Sequence, residues 1–168
     1  MSLQPLSALL AQTPLFQGLP AEDLELIAGC ASNVKFDAGD FLFREGEPSD
    51  TFYLVRHGNV SIEFFAPGRG PITIQTRGEG EVIGWSWLFP PYTRSHDARA
   101  FELTRALAFN ADCLRAKCDQ DPRLGYELMK RFGQMVHERL EATRIQLLDL
   151  YGGDRDPAPG RGRATDKR

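Results

Sequence analysis

Little in this sequence favours a polyanionic or membrane partner. Its 20 Lys and Arg are outnumbered by 23 Asp and Glu, leaving a formal charge of −3, so there is no basic field to hold nucleic acid. No apolar run approaches the roughly 18 residues that cross a bilayer. The opening MSLQPLSALLAQTPLF carries no basic residue ahead of its short apolar patch, unlike a secretory leader. The expectation is a cytoplasmic protein without membrane attachment.

Cysteine is also scarce. Cys30, Cys113 and Cys118 are odd in number and lack CxxC spacing, which argues against both a disulfide framework and a zinc site. They read as free buried thiols, and no metal is expected. Catalytic groupings are missing as well, because His57, His96 and His137 stand apart in sequence. His96 beside Asp97 is the one suggestive pair, yet neighbours in a strand point to opposite faces. A non-enzymatic protein is expected.

What is present fits one globular core: 168 residues, 42% of them apolar. Residues 1–33 read as a helical segment, with Leu24, Ile27, Ala28 and Ala31 at helical spacing after Pro20 and with Glu22 and Asp23 at its start. From Val34 the pattern changes to short runs rich in Val, Ile, Phe and Tyr bounded by Gly, Pro and Asp. Closely spaced strands over 34–110 imply a sandwich or β-roll. Gly58 supplies a tight hairpin, which makes His57 a turn residue. Asn110 or Asp112 can cap a short helix containing Cys113 and Leu114.

Residues 111–151 read as C-terminal helices. Pro122 opens the longest of them, closed by Gly152-Gly153. Met129, Phe132, Val136, Leu140, Thr143, Leu147 and Leu150 recur at steps of three and four along it. At about 1.5 Å per residue such a helix is roughly 45 Å long, more than one small β-roll covers, so part of its stripe is expected to meet a partner. The tail, 152–168, is rich in Gly, Pro, Arg and Asp and is expected to be disordered.

With these features in order, the segments LFQGLPAEDLELIAGCA and FDAGDFLFREGEPSDTFYLVRHGNV, with Gly39, Gly46, Asp50 and Gly58 at the turns, resemble the cyclic-nucleotide-binding domain family. That family includes the catabolite activator proteins and the regulatory subunits of cyclic-AMP-dependent kinase, and the likeness runs from about Pro14 to Gly152. It implies a mainly β fold with flanking helices, a double-stranded β-helix or jelly roll followed by a long C-terminal helix. In IGWSWLFPPYTRSHDARA, Ile83-Gly84 matches the start of the ligand cassette, and Arg94-Ser95 falls where relatives hold the cyclic phosphate. A buried monoanionic phosphate calls for a guanidinium fork, a hydroxyl and free backbone N–H groups.

One position departs. Trp85 stands where the family has a glutamate accepting the ribose 2′-hydroxyl; an indole can only donate, and its bulk occupies ribose space. His96 and Asp97 also replace small or apolar residues, making the turn more polar and titratable. The candidate ligand residues are therefore Gly84, Trp85, Ser86, Arg94, Ser95 and His96, with Trp87 as wall or core.

The expected function is a stand-alone regulatory sensor that binds a small anionic ligand, a cyclic nucleotide or a relative, and signals through its C-terminal helix. No cofactor is expected beyond that ligand. The partner would be a homodimer mate meeting residues 122–151, or another protein. Direct DNA binding is not expected, since no recognition helix follows Tyr151. The alternative is a ligand-free, degenerate β-roll acting as a protein-interaction subunit, in which Trp85, Trp87, Leu88, Phe89 and Tyr92 fill the old pocket and Arg94 pairs with Asp97 or another surface carboxylate.

Overall fold

The computed structural model describes residues 4–152. Two short helices lead, α1 (Leu6–Ala11) and α2 (Ala21–Ala28). Pro20 sits at the N-cap of α2 in extended conformation, with Glu22 and Asp23 in the first turn, where acidic side chains offset the unpaired N–H groups. Asp23 does more than that. It is 1% exposed and accepts two hydrogen bonds from Arg123, at 3.0 and 2.7 Å.

Eight strands follow: β1 (Ala31–Phe36), β2 (Phe41–Phe43), β3 (Thr51–His57), β4 (Val60–Ala66), β5 (Gly70–Arg77), β6 (Val82–Ile83), β7 (Asp97–Ala100) and β8 (Thr104–Asn110). They form two antiparallel four-stranded sheets, ordered β1-β8-β3-β6 and β2-β7-β4-β5, so the mainly β roll expected from sequence is the fold observed. The first strand begins at Ala31, inside the segment read as helical. Ser32 and Asn33 give no apolar alternation, yet they pair with Ala108 and Leu107 of β8, and that long-range pairing sets their conformation. Between β3 and β4 the chain reverses at Gly58, with φ of 86°. A Cβ there would lie 2.5 Å from the Leu103 carbonyl oxygen, so only glycine fits.

The roll closes over Leu42, Phe43, Val55, Val60, Ile62, Ile83, Ala98 and Ala100, with Phe36 and Tyr53 packed against them. A second apolar centre is aromatic. Phe52 stacks on Phe109 at 4.5 Å and on Trp87 at 5.0 Å, and Phe132 meets both Phe52 and Trp87 edge-on.

Helix α3 (Ala111–Gln120) is capped by Asn110, whose side chain accepts from the Cys113 N–H at 2.8 Å; of the two caps the sequence offered, Asn110 and Asp112, it is the first that serves. The long helix α4 spans Pro122–Gly152. Its buried residues are Leu124, Leu128 and Phe132; Phe132 belongs to the expected stripe, whereas Met129 is 45% exposed and its neighbour Leu128 is buried instead. The i, i+4 spacing of the two leucines with Phe132 brings them onto one face. From Gly133 onward the chain is a second unit, taken by itself; there Leu140, Leu147 and Leu150 are exposed while Val136 and Thr143 are partly covered. Of the tail expected over 152–168, Gly152 is the last residue of α4 and the rest lies outside the described residues.

The cysteine expectation is overturned for two of the three. Cys30 and Cys113 form a disulfide, with Cα atoms 5.7 Å apart, and Cys118 alone is free. The cause is topological: β1 pairs with β8 from Ala31↔Phe109, so the residue before β1 meets the helix that follows β8. The Asn110 N–H donates to the Cys30 carbonyl at 2.9 Å.

Candidate functional site

The chain from Gly84 to His96 joins β6 to β7 and contains the cassette residues. Gly84 ends the first strand in the left-handed region, φ 86°, and a short 3-10 turn, Trp85–Leu88, follows. A Cβ on Gly84 would sit 2.5 Å from Arg94 Nη1 and 3.2 Å from a Phe43 ring carbon. Glycine is thus required twice, for its backbone angle and for the space Arg94 occupies.

The loop between β2 and β3 brings Arg94 back. Gly46 N–H donates to the Arg94 carbonyl, Arg94 N–H to the Glu47 carbonyl, and Ser49 N–H to the Tyr92 carbonyl. These bonds fix the backbone while the side chain turns inward. Arg94 is 3% exposed, its guanidinium lies 4.0 Å over the Phe43 ring, and it donates to the carbonyls of Gly84, at 3.2 Å, and Thr51. Its Nε is buried without a partner.

No carboxylate is bonded to this cation among the described residues. Asp97, its expected mate in the filled-pocket alternative, accepts instead from the Glu45 N–H at 2.7 Å and lies 3.7 Å from Arg44. Burial pulls the Arg94 pKa below its usual value, against the pull of Tyr53, Asp50 and Glu47. An arginine remains protonated at neutral pH all the same, so a positive charge is held inside the roll with a donor to spare.

The other candidates are spread around this centre. Trp85 and Ser86 are half-buried, and the Trp85 ring meets Phe89 edge-on at 6.3 Å. Ser95 is exposed, with its hydroxyl 3.2 Å from His96 Nδ1. His96 lies 5.5 Å from both Phe43 and Phe64. Trp87 is core, at 1% exposure. The aromatic filling envisaged in the alternative is not found as a whole, because Phe89 and Tyr92 are 47% and 38% exposed.

A model of the cyclic nucleotide-binding domain matches residues 33–121. The chain belongs to that family. It is 28% identical, over 91% of its length, to a CRP-like cAMP-activated global transcriptional regulator of Mycobacterium tuberculosis, and spans 65% of that protein. Among solved structures it is similar to the catabolite activator protein of Thermus thermophilus, with a TM-score of 0.67, 26% identity and coverage of 83% of this chain and 63% of that one. A cyclic nucleotide-binding domain from Methylobacillus flagellatus shares the fold, with a TM-score of 0.74, 22% identity and coverage of 86% and 82%. No helix among the described residues is long and apolar enough to cross a membrane.

For this cyclic nucleotide-binding domain, sequence reasoning missed four contributors around Arg94. Phe43 offers its ring face, Thr51 its carbonyl, and Tyr53, which donates to the Leu42 carbonyl at 3.2 Å, lies close enough to act on the Arg94 charge. Arg115, from α3, donates to the Trp87 carbonyl at 2.6 Å and lies 4.7 Å over the Tyr92 ring. None stands near the cassette in sequence. FLF and TFYL carry an apolar strand signal, but nothing in it marks which ring receives a cation.

Proposed function

We propose that this chain is a non-enzymatic regulatory module whose β-roll binds a small anionic ligand, a cyclic nucleotide or a relative, at Gly84, Trp85, Ser86, Arg94, Ser95 and His96. Its state passes through α4 to a second copy or to another protein. The observation that carries this reading is the buried Arg94 guanidinium, which has no bonded carboxylate among the described residues and has an unpartnered Nε. A charge so placed is expensive to hold in isolation, and a phosphate oxygen would give it the partner it lacks. The M. tuberculosis regulator is cAMP-activated by its description, which supports cyclic AMP as the first ligand to try. The net charge of −3 supports a protein contact rather than DNA as the output of these residues.

The test is calorimetric titration of the purified chain with cyclic AMP and cyclic GMP, repeated on Arg94→Ala. Micromolar binding that the variant loses supports the reading. No heat with either nucleotide favours a second reading, a ligand-free docking subunit; Phe89 and Tyr92 do not fill its pocket, but their exposure beside the cassette would give it an apolar docking surface.

A further inference from the structure

We propose that the Cys30–Cys113 disulfide is a thiol switch that sets, through α3 and Arg115, how firmly the Trp85–Tyr92 turn is held, and so tunes the affinity of the Arg94 site. The affinity half rests on the function proposed above; the mechanical half does not.

Helix α3 touches the cassette from two sides. Arg115 lies two residues beyond Cys113 and grips both arms of the turn, donating to the Trp87 carbonyl at 2.6 Å and lying over the Tyr92 ring at 4.7 Å. Its Nη2 is held by Asp112 at 2.5 Å, so the grip is aimed by the helix itself. At the helix start, the Ala111 N–H donates to the Asp50 carbonyl at 2.9 Å. The next carbonyl along, that of Thr51, is the one that accepts from Arg94. Cys113 lies between these two contacts, and its bond to Cys30 is the one covalent tie from α3 to the start of β1. The remaining anchors of α3 include the Asn110 cap, the Asn110 N–H bond to the Cys30 carbonyl, the buried Ala111 and Leu114, and the Lys117 bond to the Leu26 carbonyl at 2.5 Å. These keep the helix folded without the disulfide but leave its N-terminal turn freer to shift.

The chemistry is a two-electron exchange with a dithiol reductant. A reductant thiolate attacks one sulfur, the S–S bond breaks and the released sulfur takes a proton; the second reductant thiol then displaces the protein sulfur, which is protonated in turn, and the reductant leaves as a disulfide. Cys113 is half-buried whereas Cys30 is 7% exposed, so Cys113 is the accessible end. Cys118 is a poor internal attacker, since burial together with Asp119 and Asp121 raises its thiol pKa. Protein disulfides that meet a reducing compartment are characteristically transient and redox-sensing.

The experiment compares the full chain oxidised, reduced with dithiothreitol, and as Cys113→Ser, after alkylation and intact-mass measurement have counted the free thiols. Amide hydrogen exchange across residues 85–92 is read without ligand, followed by cyclic AMP titration. The expected result is one free thiol when oxidised, about tenfold faster exchange at the turn on reduction and in Cys113→Ser, and a matching rise in Kd of about tenfold. In Arg115→Met the turn exchanges fast already and ignores dithiothreitol. Three free thiols under oxidising conditions, or equal exchange in all three states, overturns the switch; with nucleotide still bound, the ligand reading survives that failure. A change in exchange with no nucleotide bound in any state supports the switch and overturns the ligand reading.

Discussion

Replacing Arg94 with methionine tests whether this cation is built for a ligand or for the fold. Breaking a buried ion pair by removing one partner costs about 3–5 kcal/mol, but Arg94 has no bonded carboxylate to strand. Methionine keeps the apolar stem against Phe43 and removes a buried charge whose desolvation penalty is several kcal/mol. Against that, two charge-assisted bonds to the Gly84 and Thr51 carbonyls are lost, worth about 1.5–3 kcal/mol each. Removing the unpartnered Nε returns about 1 kcal/mol. The contributions cancel to within about 2 kcal/mol, and for a chain of this size that moves Tm by less than about 8 °C. Ligand affinity responds differently, since truncating one partner of a buried charge pair loses about 2–5 kcal/mol, a factor of about 30 or more. Differential scanning calorimetry and isothermal titration of the same preparation read both. A fall in Tm beyond about 12 °C with cyclic AMP affinity unchanged would sink the reasoning, because Arg94 would then be a structural post.

Three further substitutions probe the walls of the site. Trp85→Glu introduces the acceptor that the family resemblance implies for the ribose 2′-hydroxyl and should tighten cyclic AMP binding about tenfold; unchanged affinity by calorimetry would mean that Trp85 does not face the sugar. Gly84→Ala forces a side chain into the left-handed region, at about 1–2 kcal/mol, and drives a Cβ to within 2.5 Å of Arg94 Nη1. It should lower both the urea midpoint and nucleotide affinity, and a variant of wild-type affinity would contradict the packing described. Trp87→Phe removes a buried indole N–H that has no partner, offsetting most of the lost contact area. Stability should change by less than about 1 kcal/mol, and a loss of about 3 kcal/mol in urea unfolding would show that the N–H is satisfied after all.

The β-roll was legible because its signals are local: Val, Ile, Phe and Tyr runs punctuated by Gly58 and its neighbours, and a helix cap at Asn110. The Ile83-Gly84 and Arg94-Ser95 spacing singled out two segments that the fold brings together, with Arg94 buried against Gly84. What stayed hidden depends on long-range pairing. Cys30 and Cys113 are 83 residues apart, and only the β1–β8 register makes them neighbours. Asp23 reads as a first-turn acid, yet its partner Arg123 is 100 residues away. On α4 the expected stripe shares Phe132 with the buried face but takes Met129 where Leu128 is buried, because both fit a periodic apolar pattern and the surface each meets is not written in the helix.

The contacts of Arg94 also constrain how a ligand could act. Its two bonded acceptors are backbone carbonyls, one at the end of β6 and one at the start of β3; they take two of the five guanidinium N–H groups, and a phosphate that pairs with the rest, Nε included, draws the fork away from them. A ligand shifts an equilibrium only by its differential affinity for two states. The differential here is between a guanidinium held only by the Gly84 and Thr51 carbonyls, with Nε unpartnered, and one drawn toward an anion. Releasing the Thr51 carbonyl loosens the strand beside Asp50, whose carbonyl receives the first N–H of α3. On the proposed function, the ligand and the disulfide therefore bear on the same helix from opposite ends of one short chain of bonds, and each should alter the response to the other.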